Sequence, residues 1–146
     1  MKPKTSLHIR EFQNPQDYQA TRQLWENAGA GIQLRRSDEP GEIAKKLQRD
    51  PDLFLVAEMD EKIVGTVMGG FDGRRGMVYH LAVAQPNRQQ GVGELLMDEL
   101  ESRLKKKGCI RCYLMVTVDN QSAMQFYEKR GWEHMQQVRT YGKDLK

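Results

Sequence analysis

The order of hydrophobic periodicities along this chain predicts an α+β fold: a mixed, mostly antiparallel sheet of about seven strands with helices on both faces. Three observations carry that expectation. Helical stripes and short apolar runs alternate in the order β-α-α-β-β-β-α-β-α-β-β. Three of the runs follow one another across short polar turns, which implies an antiparallel meander. The next strand pair flanks a long helical stripe, and such a crossover brings parallel strands together with a right-handed connection. Of the 146 residues, 1–6 read as a flexible N-terminus and 7–146 as a single domain. A chain of this size buries about two-thirds of its unfolded surface.

Each element has a local reason. Leu7 and Ile9 alternate in a first strand, Leu7 to Phe12. Asn14-Pro15 with Asp17 predicts a helix start, with Asn14 as N-cap and Pro15 in the first turn. That helix runs to about Ala28, with Tyr18, Thr21, Trp25 and Ala28 on one face, and Gly29 to Gly31 break it. Asp38-Glu39-Pro40 starts a second helix carrying Ile43 and Leu47, and Asp50-Pro51 ends it. Leu53 to Met59, Lys62 to Phe71 and Met77 to Ala84 are the meander strands. Gly69-Gly70 inside a strand marks a bulge or a close ligand approach. After Gly91, a stripe of Val92, Leu95, Leu96, Leu100 and Leu104 repeats at helical spacing. Lys105 to Lys107 suit the negative end of that helix and Gly108 caps it. Arg111 to Val118 is a strand and Gln121 to Arg130 a helix. Trp132 to Val138 and Arg139 to Leu145 form a last hairpin.

Composition narrows the class. Charged residues make up 29% and hydrophobic residues 38%, with a net charge of +3. No apolar run is long enough to span a bilayer and no signal-peptide core is present, so a cytoplasmic protein without membrane association is expected. The mild positive charge favours an anionic small ligand and is too small to argue for nucleic acid. The basic cluster Lys105, Lys106, Lys107 and Arg111 is explained by the helix dipole. Cys109 and Cys112 form a lone C-x-x-C that opens a strand rather than a helix. The histidines, His8, His80 and His134, have no paired ligand spacing. No metal site is expected, and the cysteines read as reduced thiols.

Two segments carry chemistry. R-Q-Q-G-V-G, Arg88 to Gly93, follows a strand and opens a helix. Glycines there let backbone approach a phosphate, and a helix N-terminus presents free N–H groups and favourable dipole. A dinucleotide fold is excluded, because there is no G-x-G-x-x-G and no suitably placed acid after the next strand. The second segment, N-Q-S-A-M-Q-F-Y-E-K-R-G-W, runs from Asn120 to Trp132.

Together these segments resemble the GNAT superfamily of acyl-CoA-dependent N-acyltransferases, of the small single-domain bacterial type. Arg88, Gly91 and Gly93 match its Q/R-x-x-G-x-G/A loop. Asn120, Ala123, Phe126, Tyr127 and Gly131 match its N-x-x-A-x-x-F/L-Y-x-x-x-G-F/W segment. The resemblance covers roughly Leu7 to Leu145. It implies acetyl-CoA as cosubstrate, held by Arg88, Gln89, Gln90, Gly91, Val92, Gly93 and Glu94, with the amides of Gln90 to Glu94 on the pyrophosphate. Backbone of Leu81, Ala82 and Val83 would pair with the pantetheine arm like an added strand. The Val83 N–H would stabilise the oxyanion. Asn120 would bond the pantetheine or cap its helix, beside Ala123. Tyr127 would protonate the departing thiolate; thiols titrate near ~8.5 and phenols near ~10, so the transfer costs only about 2 kcal/mol.

The general base is less determined. Freeing an alkylamine of its proton at neutral pH costs about 4 kcal/mol. Some relatives that modify protein N-termini place a Glu five residues before the Asn; here that position is Met115. His80, Tyr79 or Glu58 would act through a water, and His80 has the most suitable side chain. The acceptor amine, on a small molecule or a protein or peptide, would sit among the first two helices, their loop Gly29 to Pro40 and the C-terminal hairpin. Arg35 and Arg36 read mainly as solvated surface. A monomer or homodimer is expected. The competing reading is a non-catalytic acyl-CoA-binding sensor or partner module.

Overall fold

The run from Leu53 to Ala57 does not alternate because it is buried on both sides: all five residues are 0% exposed. It feeds the second of five strands. These are β1 (Leu7–Glu11), β2 (Phe54–Met59), β3 (Lys62–Phe71), β4 (Gly76–Val83) and β5 (Cys112–Leu114), laid side by side in that order. The first four pair antiparallel and β5 pairs parallel to β4, as the meander and the crossover predict. The helices are α1 (Tyr18–Glu26), α2 (Pro40–Arg49), α3 (Val92–Lys106) and α4 (Gln121–Lys129). These elements come from a computed structural model describing residues 6–29 and 31–146. The expected flexible start therefore lies, Ser6 apart, outside the described residues. The chain falls into two units. One ends at Met115 and holds the sheet with α1 to α3; the other runs from Val116 to Lys146 and holds α4.

Helices cover both faces of the sheet. Along β3, Thr66 bonds the Trp25 indole of α1, and Gly70, further along the same face beyond Met68, looks toward Lys46 of α2. Gly65 and Gly69 look the other way, toward Val92, Leu96 and Leu100 of α3. The α1 side is an aromatic core in which Phe12 stacks on Phe54 at 4.2 Å, with Trp25 beyond at 6.0 Å. On α3, Val92, Leu96, Met97, Leu100 and Leu104 are buried, while Leu95, expected in the stripe, is 46% exposed.

Gly69 is not a bulge, since it pairs in regular register with Val78. A Cβ there would stand 2.6 Å from Leu100 Cδ1 and 3.3 Å from its Cγ, so glycine lets α3 lie close on the sheet. Because Leu100 is fully buried, it has little room to yield. Gly69→Ala is expected to destabilise the protein by about 1–3 kcal/mol. Gly41→Ala, where a Cβ meets nothing within 4 Å on α2, is expected to raise stability slightly. Urea denaturation of both variants checks the opposite signs.

The structure corrects three expectations. The described residues contain five strands, not seven, and Trp132 to Leu145 contribute none. Their apolar members, Met135, Val138, Tyr141 and Leu145, recur every three or four residues. A strand with one buried face needs alternation, and all four are exposed. The last strand is also shorter than Arg111 to Val118, for a reason given below. Finally, α1 is preceded by Asp17 rather than capped by Asn14. The Asp17 carboxylate accepts from the Gln13 N–H at 2.7 Å and takes a two-point grip on Arg10 at 2.7 and 3.0 Å. Such charge-assisted pairs outweigh a neutral amide cap.

Candidate active site

The site begins with a fault in the β3–β4 ladder. Thr66 faces Ala82 and Met68 faces Tyr79, so His80 and Leu81 together oppose Val67 alone. This is a β-bulge, which bends and twists its strand. His80 carries the unusual backbone, with φ +50°. The bulge is pinned from the α1 side: the Trp25 indole donates to Thr66 Oγ1 at 3.0 Å, and Thr66 Oγ1 donates to the His80 carbonyl at 3.3 Å.

Beyond the bulge β4 loses its outer neighbour. Pairing with β5 covers only Gly76 to Val78, opposite Cys112 to Leu114. The last strand pairs only with the part of β4 that precedes the bulge, which is why it is short. The Ala84 N–H bonds the Val64 carbonyl at 2.8 Å. Bonded and non-bonded pairs alternate in an antiparallel ladder, so the Val83 N–H and C=O point away from β3 toward the released edge. Leu81, two residues earlier, presents its peptide the same way. The Val83 carbonyl accepts from Arg88 Nε at 3.1 Å. Arg88 thus ties the loop to the strand end.

The loop Arg88 to Gly91 delivers the chain into α3 through two left-handed residues, Gln89 at φ +63° and Gly91 at φ +84°. Left-handed backbone around Gln90 curves successive N–H groups into a shallow anion-binding concavity. The Leu95 N–H closes the first turn on the Gly91 carbonyl at 3.1 Å. The N–H groups of Val92, Gly93 and Glu94 precede it and have no partner inside the helix. No side chain caps this end. Free donors at the positive end of a helix of 15 residues match a pyrophosphate in charge and hydrogen-bonding capacity. The donor set fits the phosphate end of coenzyme A.

Around His80, Nε2 lies 2.8 Å from Asp38 Oδ1, and the Trp25 ring stands edge-on at 4.8 Å. Asp38 ends a short 3-10 turn, Arg36–Asp38, between α1 and α2. Its carboxylate also accepts from the Arg35 N–H at 3.1 Å, and its carbonyl accepts from the Tyr18 hydroxyl at 2.8 Å. Burial alone would raise the Asp38 pKa; the bonds from His80 and Arg35 outweigh it and hold the carboxyl below its usual range. Sequence reading missed Asp38, because no spacing rule links residues 42 apart.

The other base candidates are engaged elsewhere. Glu58 Oε2 takes Arg10 Nε at 3.1 Å and NH2 at 2.8 Å, while Oε1 lies 3.4 Å from His8. It braces β1 against β2 beside a cleft of about 550 Å³ whose walls include Arg10, Gln23, Val83 and Pro86. Burial pushes the Tyr79 phenol up, so it keeps its proton. Cys112 does not fit a nucleophile role: burial, then the neighbouring Cys109, pushes its thiol up to about 11. Among the described residues no cluster of His, Cys, Asp and Glu is placed to hold a metal ion.

In the second unit the string Asn120 to Trp132 resolves into helix boundaries around one phenol. Asn120 Oδ1 accepts from the Ala123 N–H at 3.2 Å and caps α4, one of its two expected roles. At the other end Gly131 is left-handed at φ +90°. The Gly131 N–H bonds the Glu128 carbonyl at 3.1 Å and the Trp132 N–H bonds the Tyr127 carbonyl at 3.0 Å. This is a Schellman cap, and its hydrophobic contact is Tyr127 against Trp132, with ring centroids 5.9 Å apart. Burial pushes the Tyr127 phenol up to about 12, against a small opposing effect of Arg130.

Known proteins share this architecture. The chain matches the Acetyltransferase (GNAT) family over residues 13–132. It is 41% identical over 140 residues to an acetyltransferase of Pectobacterium atrosepticum, covering 95% of this chain and 96% of that one. A relative from Sodalis glossinidius is 39% identical with the same coverage. Among solved structures, Ard1 from Thermoplasma volcanium superposes with a TM-score of 0.75 at 25% identity, over 86% of this chain and 81% of that chain. The aminoglycoside N-acetyltransferase AAC(6')-Iy in complex with CoA shares the fold, with a TM-score of 0.73 at 18% identity and 98% coverage of both chains. A bulged strand released from its neighbour, a glycine loop and a helix N-terminus therefore stand in a chain that belongs to the GNAT family of acetyltransferases.

Proposed function

We propose that this protein is an N-acetyltransferase that moves an acetyl group from acetyl-CoA to a primary amine by direct attack. One observation carries the reading: the released edge of β4 leads, through a 3-10 turn at Gln85–Asn87, into the left-handed loop and the free N–H groups of α3. A pantetheine arm on Leu81 to Val83 would place its pyrophosphate on Gln90 to Glu94. The outward Val83 N–H would give the thioester oxygen a donor at the position where charge develops. The nitrogen lone pair forms the C–N bond, the C–S bond breaks, and Tyr127 supplies a proton to the thiolate.

The protonated Cys112 thiol supports direct attack over an acyl-cysteine intermediate. Mass spectrometry of the intact protein after acetyl-CoA alone is expected to show no acetyl adduct. The full reading is tested by free-thiol release from acetyl-CoA, with and without pooled amines, polyamines, amino acids and peptides. Amine-dependent release is the expected result. Calorimetric binding of acetyl-CoA without release from any pool would mean a binding module instead.

A further inference from the structure

Resting on that acetyl-transfer reading, we propose that His80 and Asp38 form the proton-accepting couple of the enzyme: His80 Nδ1 takes the proton of the incoming ammonium, directly or through one water, and Asp38 is the positioning residue that fixes the ring. Because Asp38 belongs to the segment joining α1 and α2, the base is complete only when that segment is docked against β4.

Three features lead there. The first is place. His80 sits on the bulge, one residue before the first outward-facing peptide of the released edge. A non-glycine residue at φ +50° is sparsely populated backbone of the kind that gathers at functional sites. Thr66 and Trp25 hold it there through its carbonyl. The second is the tautomer. An ionised Asp38 can only accept, so Nε2 carries the hydrogen and Nδ1 keeps a lone pair. The third is access. Asp38 is 5% exposed, whereas the His80 side chain remains 20% exposed. A carboxylate enclosed behind an imidazole that still reaches solvent is the arrangement of a base with its orienter.

The proton balance closes. The ammonium gives one proton to Nδ1, and the neutral amine then attacks the thioester; the second proton, lost from nitrogen as the amide forms, passes through solvent to the Tyr127 phenolate left when the thiolate takes its proton. The imidazolium so formed is stabilised by Asp38 and releases its proton to solvent after product leaves. The groups facing the couple are few. From α1 come Tyr18, whose hydroxyl bonds the Asp38 carbonyl, Arg22, which bonds Tyr18 and pairs with Glu26, and the uncharged Trp25. From the connecting segment come Asp38 and the Arg35 N–H, and from β3 the uncharged Thr66. The neighbour on β4 is Tyr79, whose phenol stays protonated.

Nitrogen NMR of the imidazoles in the ligand-free protein gives a readout independent of turnover, with His80→Asn identifying the His80 signal among three histidines. The expected spectrum has the His80 proton on Nε2; a proton resident on Nδ1 would overturn the proposal. His80→Asn keeps a residue type that tolerates positive φ. It is expected to lower kcat by roughly 10²–10⁴ and abolish the acid limb of the kcat/KM profile. Asp38→Asn should lower kcat and alter the shape of that limb, and Asp38→Glu should restore wild-type behaviour in part. Acetyl-CoA affinity should hold in all three. Unchanged pH profiles in both neutral variants refute the couple while leaving acetyl transfer intact. A wild-type protein with no amine-dependent thiol release refutes the transfer reading itself, whatever the spectrum shows.

Discussion

Tyr127→Phe is expected to cut kcat by roughly 10²–10⁴ while acetyl-CoA affinity stays within a few-fold. The ring and the backbone carbonyl that closes the α4 cap are retained, so Phe keeps both the Trp132 contact and the Schellman geometry. What it removes is the proton. With the phenol at about 12, transfer to a thiolate whose thiol titrates near ~8.5 is uphill by about 5 kcal/mol in water-like terms, at 1.36 kcal/mol per pKa unit. A thiolate released into an equally dry site has its own affinity for protons raised, which narrows that gap. The same burial keeps Tyr127 protonated throughout the working range, so wild-type kcat should show no alkaline loss from this group below pH 11. Stability carries the complementary signature. A folded-state pKa raised above the unfolded value of ~10 gives stability that is complete below pH ~10 and lost as pH climbs toward the folded value. In Tyr127→Phe that alkaline decline should flatten. Measuring kcat, coenzyme affinity and thermal midpoint on one preparation decides the matter: wild-type turnover in the variant would return Tyr127 to a packing role.

Gly91→Val should raise the acetyl-CoA dissociation constant at least about tenfold, or 1.4 kcal/mol. The reason is conformational rather than a clash within the protein. A Cβ at this position meets nothing within 4 Å, but φ is +84°, which a β-branched residue rarely adopts. Valine would pull the loop toward negative φ and redirect the N–H groups at the start of α3. Gly91→Asn is the informative partner, because asparagine tolerates left-handed backbone. If loop curvature is what binds the pyrophosphate, Asn at this position retains more affinity than Val. Equal, wild-type affinity in both folded variants would remove the loop from the coenzyme site.

The local elements were legible because each rests on short-range chemistry. The bounds of β3 and the first residue of α4 were read from periodicity and turn residues and stand unchanged. The buried first part of β2 was legible from the unbroken apolar run Leu53 to Ala57. Where reading failed, a distant partner had intervened. Asn14 was the better cap by its immediate neighbours, yet Arg10 recruits Asp17. Leu95 fits the α3 stripe by spacing, yet it is Met97 that is buried. Glu58 had the chemistry of a base but is held by Arg10 from another strand.

The amino-acid sequence by itself determined the family, the glycine loop and the capped helix bearing Tyr127. These are patterns within a dozen residues, set by φ preferences, capping bonds and helical spacing. Only the tertiary structure decided how β4 opens and what stands beside His80. A bulge is a mismatch between two strands, so neither strand alone encodes it. Likewise the Asp38–His80 bond joins a turn and a strand whose approach depends on α1 packing Trp25 against Thr66.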